Sequence, residues 1–291
     1  MGINDYKFPI MITNSREVYC KELKNIHYKN ILKYVQNNDD DNLCKYFELL
    51  INDLCETDES LNYIDKFLIL IAIRMVCINN VLEIETPSKI KNTLNIGDMS
   101  KTIIENFSPN TRTINCQKDI KVEIGYPNII SNRDIIFNKI HSIEVSNEKV
   151  MFGNLSEKEK DEILSLLPAS LSKDTFKEIK KSEIYKEIKL FSYYYEEGEK
   201  ADFYFSFDST KNFQLLKSLY TENLNNIYYY EYICISKLHM SLSDFLFNMT
   251  PVETVLQVTT LSKEIQEQNK AKSAATNKNQ SPTPGLGSPR Q

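Results

Sequence analysis

The sequence predicts an α+β fold that is predominantly helical, with an N-terminal strand pair and small sheet with helices, then a helix-rich C-terminal half. Three observations carry that expectation. Short alternating segments fall mainly before residue 150; in "IKVEIGY", Ile120, Val122 and Ile124 lie on one face and Lys121, Glu123 and Gly125 on the other. Helical apolar spacing dominates elsewhere. The balance of 41% hydrophobic and 26% charged residues over 291 positions suits a globular chain long enough for a sizeable core. Residues 1–150 are expected to form an α+β domain, 151–270 a mainly helical one, and 271–291 a disordered tail.

Taken in order, "YKFPIMI" and "REVYCKEL" read as strands separated by the turn Thr13-Asn14-Ser15. A helix over Lys29 to Gln36 has Ile31, Leu32 and Val35 on one side and stops at the acidic turn Asp39-Asp40-Asp41. The next, Leu43 to Leu54, keeps a helical period through Leu43, Phe47, Leu50 and Leu54. A third, Leu61 to Ile78, follows the N-cap candidates of "ETDES" and is apolar on nearly every side, which predicts a central position. "VLEIET" and "KIKNTLNI" lead into a helix over "MSKTIIENF", then "RTINC" and "IKVEIGYP". From Arg133 onward mostly helix is expected, with "ADFYFSFDS" as the one later strand, where Phe203, Phe205 and Phe207 alternate with Asp202, Tyr204 and Ser206. Ser156-x-x-Glu159 and Ser241-x-x-Asp244 have the spacing of helix starts, where side chains satisfy orphan amides. After Lys270 the chain has few apolar residues and three of its nine prolines, too little to drive folding.

Several function classes lose support at once. The net charge of −5 is spread along the chain, and the lysines of Lys177 to Lys189 alternate with Glu, so no basic face for nucleic acid is predicted. The start "MGINDYKFPI" lacks a signal-peptide pattern, and Tyr6 stands where a myristoylation motif wants Ser or Thr. The longest apolar run, Phe67 to Ile78, is too short for a bilayer and contains Arg74, so no membrane partner is expected. The six cysteines, at 20, 44, 55, 77, 116 and 234, form no C-x-x-C pair and read as buried free thiols in a reduced, cytosolic protein. The five glycines before the tail stand alone, so neither a Rossmann turn nor a phosphate loop can be written, and no cofactor is predicted. His27, His141 and His239 form no H-x-x-x-H pair, no G-x-S-x-G elbow occurs, and Asp39 to Asp41 lack calcium-loop spacing. No metal and no catalytic residue is assigned, although a site assembled from distant residues stays open.

The densest stretch is "NLNNIYYYEYICISKLHMSLSDFLFNMTPVE", residues 223 to 253. On a helical wheel Leu224, Ile227, Tyr228, Tyr232, Ile235 and Leu238 share a broad face, opposite Asn225, Asn226, Ser236 and Lys237. Glu231 falls within the apolar arc. Buried alone it would be costly, so either a Tyr hydroxyl or a Lys from elsewhere pairs it, or a second protein lands there. At the end of the stretch Thr250 is placed as an N-cap, Pro251 as the first helical residue and Glu253 as the residue returning to the cap amide. The helix so started carries Val252, Val255, Leu256, Leu261 and Ile265. These features nominate a partner interface made of Tyr228, Glu231, Tyr232, His239, Met249, Pro251, Val252 and Glu253.

The order of these pieces resembles the baseplate hub family of T-even-like contractile-tailed bacteriophages, its hub subunits and hub assembly proteins. Four places carry the likeness: "KFPIMITNSREVYCKELKNIHYKNILKYV", "IDKFLILIAIRMVCI" with its internal Arg74, "KDIKVEIGYP" closing on Tyr126 and Pro127, and the tyrosine-rich stretch. The last resembles a family pattern of a His near the helix end, a Ser-Leu helix start and Met-x-Pro-Trp-Glu, matched here by His239, Ser241, Leu242, Met249, Pro251 and Glu253. Val252 departs from it, standing at the Trp position. The resemblance implies a non-enzymatic tail protein that acts in hub assembly or as a hub component, with other baseplate or tail proteins as partners. It also implies residence in the host cytoplasm during assembly, and leaves open whether the chain stays in the virion's tail baseplate. The alternative from the residues is a small-molecule enzyme whose site gathers around Glu231 and His239.

Overall fold

The structure is a computed structural model and describes residues 6–57, 61–107, 111–117, 120–127, 129–133, 136–146, 148–152, 155–166, 187–206 and 208–278. Alternation at the start of the chain makes a hairpin in which β1 (Lys7–Met11) pairs antiparallel with β2 (Glu17–Lys21), setting Phe8 opposite Cys20 and Ile10 opposite Val18. The connecting turn, Thr13–Ser15, places Asn14 and Ser15 at positive φ. It is held from inside by Asp65, whose side chain has no exposed surface. That carboxylate accepts from the Thr13 amide (3.0 Å), the Thr13 hydroxyl (2.6 Å) and the Asn62 amide (3.2 Å), and pairs with the Arg16 guanidinium at 2.5 Å. A buried charge is tolerable because its lone pairs are all used.

The first helices follow apolar spacing. α1 (Asn25–Gln36) buries Asn25, Tyr28, Ile31 and Leu32, and α2 (Asp40–Leu54) buries Leu43, Phe47, Leu50 and Leu54 on one stripe. Asp39 caps α2, accepting from the Asn42 amide, while Asp40 and Asp41 occupy the first turn, where the helix dipole favours negative charge. The acidic run thus begins a helix, earlier than its apolar spacing marks. The two-residue strand β3 (Cys55–Glu56) joins the edge of β2. α3 (Tyr63–Cys77) opens on a capping box between Asn62 and Asp65 and buries eleven of its side chains, Arg74 included. It sits centrally, packed on α2, on β1 and on two helices that come later in the chain.

The expected strand content needs correction. Of the described residues 53% are helical and 25% strand, in four small antiparallel sheets distributed along the chain. β4 (Val81–Glu85) pairs with β5 (Lys91–Asn95), which leads into α4 (Ile96–Asn106). A four-stranded sheet follows, ordered β6 (Arg112–Gln117), β7 (Ile120–Ile124), β8 (Ile140–Val145) and β9 (Glu148–Met151). Among its described residues the chain after Arg133 therefore carries four strands, β8, β9 and two that come later, where a single later strand was expected. After α5 (Glu157–Leu166), β10 (Ile188–Glu196) pairs with β11 (Glu199–Phe205), so the half expected to be helix-rich carries its own hairpin. The Lys/Glu-rich surroundings of β10 hid its alternation; its Phe191 ring stacks on Phe203 with centroids 5.2 Å apart. Phe203 and Phe205 turn inward as their alternation predicts, while Phe207 lies outside the described residues. Asn92 of β5 both donates to and accepts from the backbone of Tyr194, linking the two hairpins.

Three helices complete the fold: α6 (Ser209–Leu219), α7 (Leu224–Ser236) and α8 (Pro251–Lys278). α8 runs eight residues into the segment expected to be a tail from 271, and 279–291 lie outside the described residues. One contiguous core unites the elements: Phe205 meets Phe67 edge-on at 4.9 Å, and the Tyr220 hydroxyl donates to the Leu70 carbonyl at 2.7 Å.

Candidate partner-binding face

Helix α7 divides its apolar residues between two stripes. Ile227 and Cys234 are buried, with Leu224, Glu231 and Leu238 half-buried in line with them. Tyr228, Tyr232 and Ile235 form a parallel stripe that faces solvent, Tyr228 being 44% and Tyr232 61% exposed, and Tyr229 stands exposed beside them. The wheel treats these residues as one broad face; packing against α1 and α8 covers only half of it. Glu231 receives the lysine its position calls for. Lys29 of α1 pairs with it at 2.5 Å and also lies 4.3 Å from the Tyr228 ring centroid, so one ammonium serves a carboxylate and an aromatic face.

Beyond α7 the chain turns through His239, which is exposed and in the left-handed region at φ 55°. Ser241 and Asp244 then form the predicted start. The Ser241 hydroxyl donates to Asp244 at 2.6 Å and accepts from its amide at 3.0 Å, opening a single turn over Asp244–Asn248. The turn docks on the beginning of α1. Asn25 donates its backbone amide to the Met249 carbonyl and its side-chain amide to the Phe245 carbonyl and the Thr254 hydroxyl. Met249 and Pro251 are consequently buried. Glu253 accepts from the Thr250 amide and hydroxyl at 2.8 and 2.9 Å, while the Thr250 hydroxyl accepts from the Glu253 amide at 3.3 Å, the reciprocal pair that begins α8.

The eight nominated residues therefore fall into two groups. Tyr228, Tyr232 and His239 present themselves to solvent, whereas Met249, Pro251 and Glu253 build the turn that holds α8 in place. Glu231 is occupied by Lys29. Val252 borders a cleft of about 580 Å³ between α7, α8 and β4, whose wall also includes Tyr28, Arg74, Glu222, Tyr230 and Leu256. Arg74 donates Nε to the Leu219 carbonyl at 2.6 Å and Nη1 to the Asn79 carbonyl at 2.7 Å, and burial draws the guanidinium below its ordinary pKa. The Tyr28 hydroxyl donates to Glu222 at 2.6 Å; burial first and that carboxylate second push the phenol up. Leu256 and Val255 extend the exposed apolar surface across the cleft's rim.

Residues the wheel could not nominate do much of the positioning. Asn25 and Lys29 lie about two hundred positions from their partners, and no local pattern marks them. Glu231 and His239 are joined by no hydrogen bond or ion pair among the described residues. No group of three His, Cys, Asp or Glu side chains among the described residues could hold a metal ion, and no helix there is long and apolar enough to cross a membrane. The arrangement offers a ridge of tyrosines on a braced helix. Such rings contribute large contact area at small rotamer cost and keep a hydroxyl for the rim of an interface. Among known proteins, the family model described as T4 bacteriophage base plate protein matches residues 3–191. No curated protein and no solved structure matches the chain.

Proposed function

We propose that this chain, which belongs to the T4 bacteriophage base plate protein family, is a non-enzymatic protein of the baseplate hub, acting as a hub component or as a factor in its assembly. It works by binding other tail polypeptides. The carrying observation is the solvent-facing stripe of Tyr228, Tyr232 and Ile235, supported from beneath by the Lys29–Glu231 pair and continued by Val255 and Leu256 on α8. Exposed rings gathered on one helix are a feature of surfaces that another protein covers.

Co-expression with the other baseplate and tail proteins of the same phage tests this reading. A complex should co-purify, and Tyr228→Ala combined with Tyr232→Ala should weaken capture tenfold or more, since aromatic anchors carry a large share of interface energy. The double variant should keep its cooperative unfolding transition. Unchanged capture would overturn the assignment of the face, and collapse of the fold would show that the rings serve the core instead.

A further inference from the structure

Strand β3 places Cys55 directly opposite Cys20 of β2 in antiparallel register. Directly opposed residues in such a pair have Cα atoms about 4.5–5.5 Å apart, inside the range of about 4.4–6.8 Å that a disulfide spans. Both thiols are free. Cys55 is half-buried and reachable from solvent, whereas Cys20 has no exposed surface. The Cys55 thiol, and then burial, push the Cys20 thiol up, as contact between the two sulfurs would. Among the described side chains the remaining buried thiols lie inside helices: Cys44 in α2, Cys77 in α3 and Cys234 in α7.

We propose that Cys20 and Cys55 are a redox pair, which a small-molecule disulfide such as glutathione disulfide converts into one cross-strand disulfide joining β2 to β3. The accessible Cys55 gives up its proton and attacks one sulfur of the reagent, forming a mixed disulfide and releasing one glutathione thiolate. Cys20 then loses its proton and attacks the Cys55 sulfur, forming the Cys20–Cys55 bond and releasing the second thiolate. Two electrons pass to the reagent's S–S bond, and the two thiol protons leave with the two glutathione molecules. β3 follows α2 without a break, so the new bond ties the C-terminal end of α2 to the first hairpin and closes the loop that contains α1 and α2. It leaves the exposed stripe of α7 untouched.

Oxidation of the full native chain with excess glutathione disulfide, followed by unfolding, alkylation and peptide mapping, tests the pair. Free thiols should fall by two from six, the mass should drop by two hydrogens, and Cys20 and Cys55 should map to one linked peptide. The melting temperature should rise by about 5 °C or more, and dithiothreitol should reverse every change. In Cys20→Ala, which removes little volume, Cys55 should stop at a stable glutathione adduct. The proposal is overturned if the unmutated chain keeps such an adduct, if all six thiols survive, or if Cys20 links instead to Cys77, whose thiol it is near enough to influence. Mapping of the unmutated chain decides among these without requiring any variant to fold.

Discussion

Around α3 the rings of Tyr63, Phe67, Tyr126 and Phe205 interlock at centroid distances of 4.9–6.4 Å and scarcely meet water, whereas Tyr228, Tyr229 and Tyr232 of α7 stand in solvent, the first beside a lysine. The same residue class does opposite work in the two places. In the first, a fully coordinated carboxylate, Asp65, fixes the α3 entry and the apolar rings fill what remains. In the second, the Lys29–Glu231 pair braces α7 from the side of α1, and the rings are left on top. A helix whose polar groups brace its inner side while its aromatics face outward is arranged for a second surface.

Perturbing the two regions should separate them by magnitude. Asp65→Ala removes the acceptor shared by Thr13, Arg16 and Asn62 and should cost at least about 3 kcal/mol in urea denaturation, because it strands buried donors and a charge. Ile227→Ala, on the covered stripe of α7, should cost about 2–3 kcal/mol by the same measurement. Thr250→Ala deletes the reciprocal cap of α8 and should cost about 1 kcal/mol, with a loss of helical circular dichroism. Acid titration gives a further, smaller effect. Lys149, Thr111 and Ser142 hold Glu123 down from 4.5 to about 2. A depressed folded-state pKa contributes stability above the ordinary value and loses it as pH falls through the window from 4.5 to about 2. Glu123→Gln should therefore flatten that part of the pH–stability curve. Smallest of all, Tyr232→Ala should change stability by no more than about 0.5 kcal/mol. A loss as large as that of Ile227→Ala would erase the distinction between the two stripes.

Local chemistry was the legible part. The Thr250–Glu253 and Ser241–Asp244 spacings produce the bonds they predict because each partner lies three residues from the other. The central place of α3 follows from an apolar run with hardly a polar side to expose. Pairing between segments was harder to read. β8 is a strand because β7 and β9 lie beside it, and β10 because β11 folds back on it across a short turn, and a single sequence does not show which segments meet. The same holds for Asn25, a polar residue in the first turn of α1 whose backbone and side-chain amides find three acceptors, two in the turn before α8 and one on α8 itself. On α7 a helical wheel shows an apolar arc but not which half of it the body covers, and it does not show that Met249 and Pro251 are buried at the start of α8 while Tyr228 faces solvent.

Helix α8 has 28 residues, roughly 42 Å of rod at 1.5 Å per residue. Among its described side chains, Pro251, Thr254 and Val258 near its start are the buried ones; from Thr259 to Lys272 every side chain but Leu261 is exposed. A beam clamped at one end delivers any sideways push to its clamp, multiplied by its length. A neighbour that gripped the far end of α8 would load Asn25, Thr250 and Glu253 long before it disturbed α3, making that joint the place where the molecule would first give way under strain.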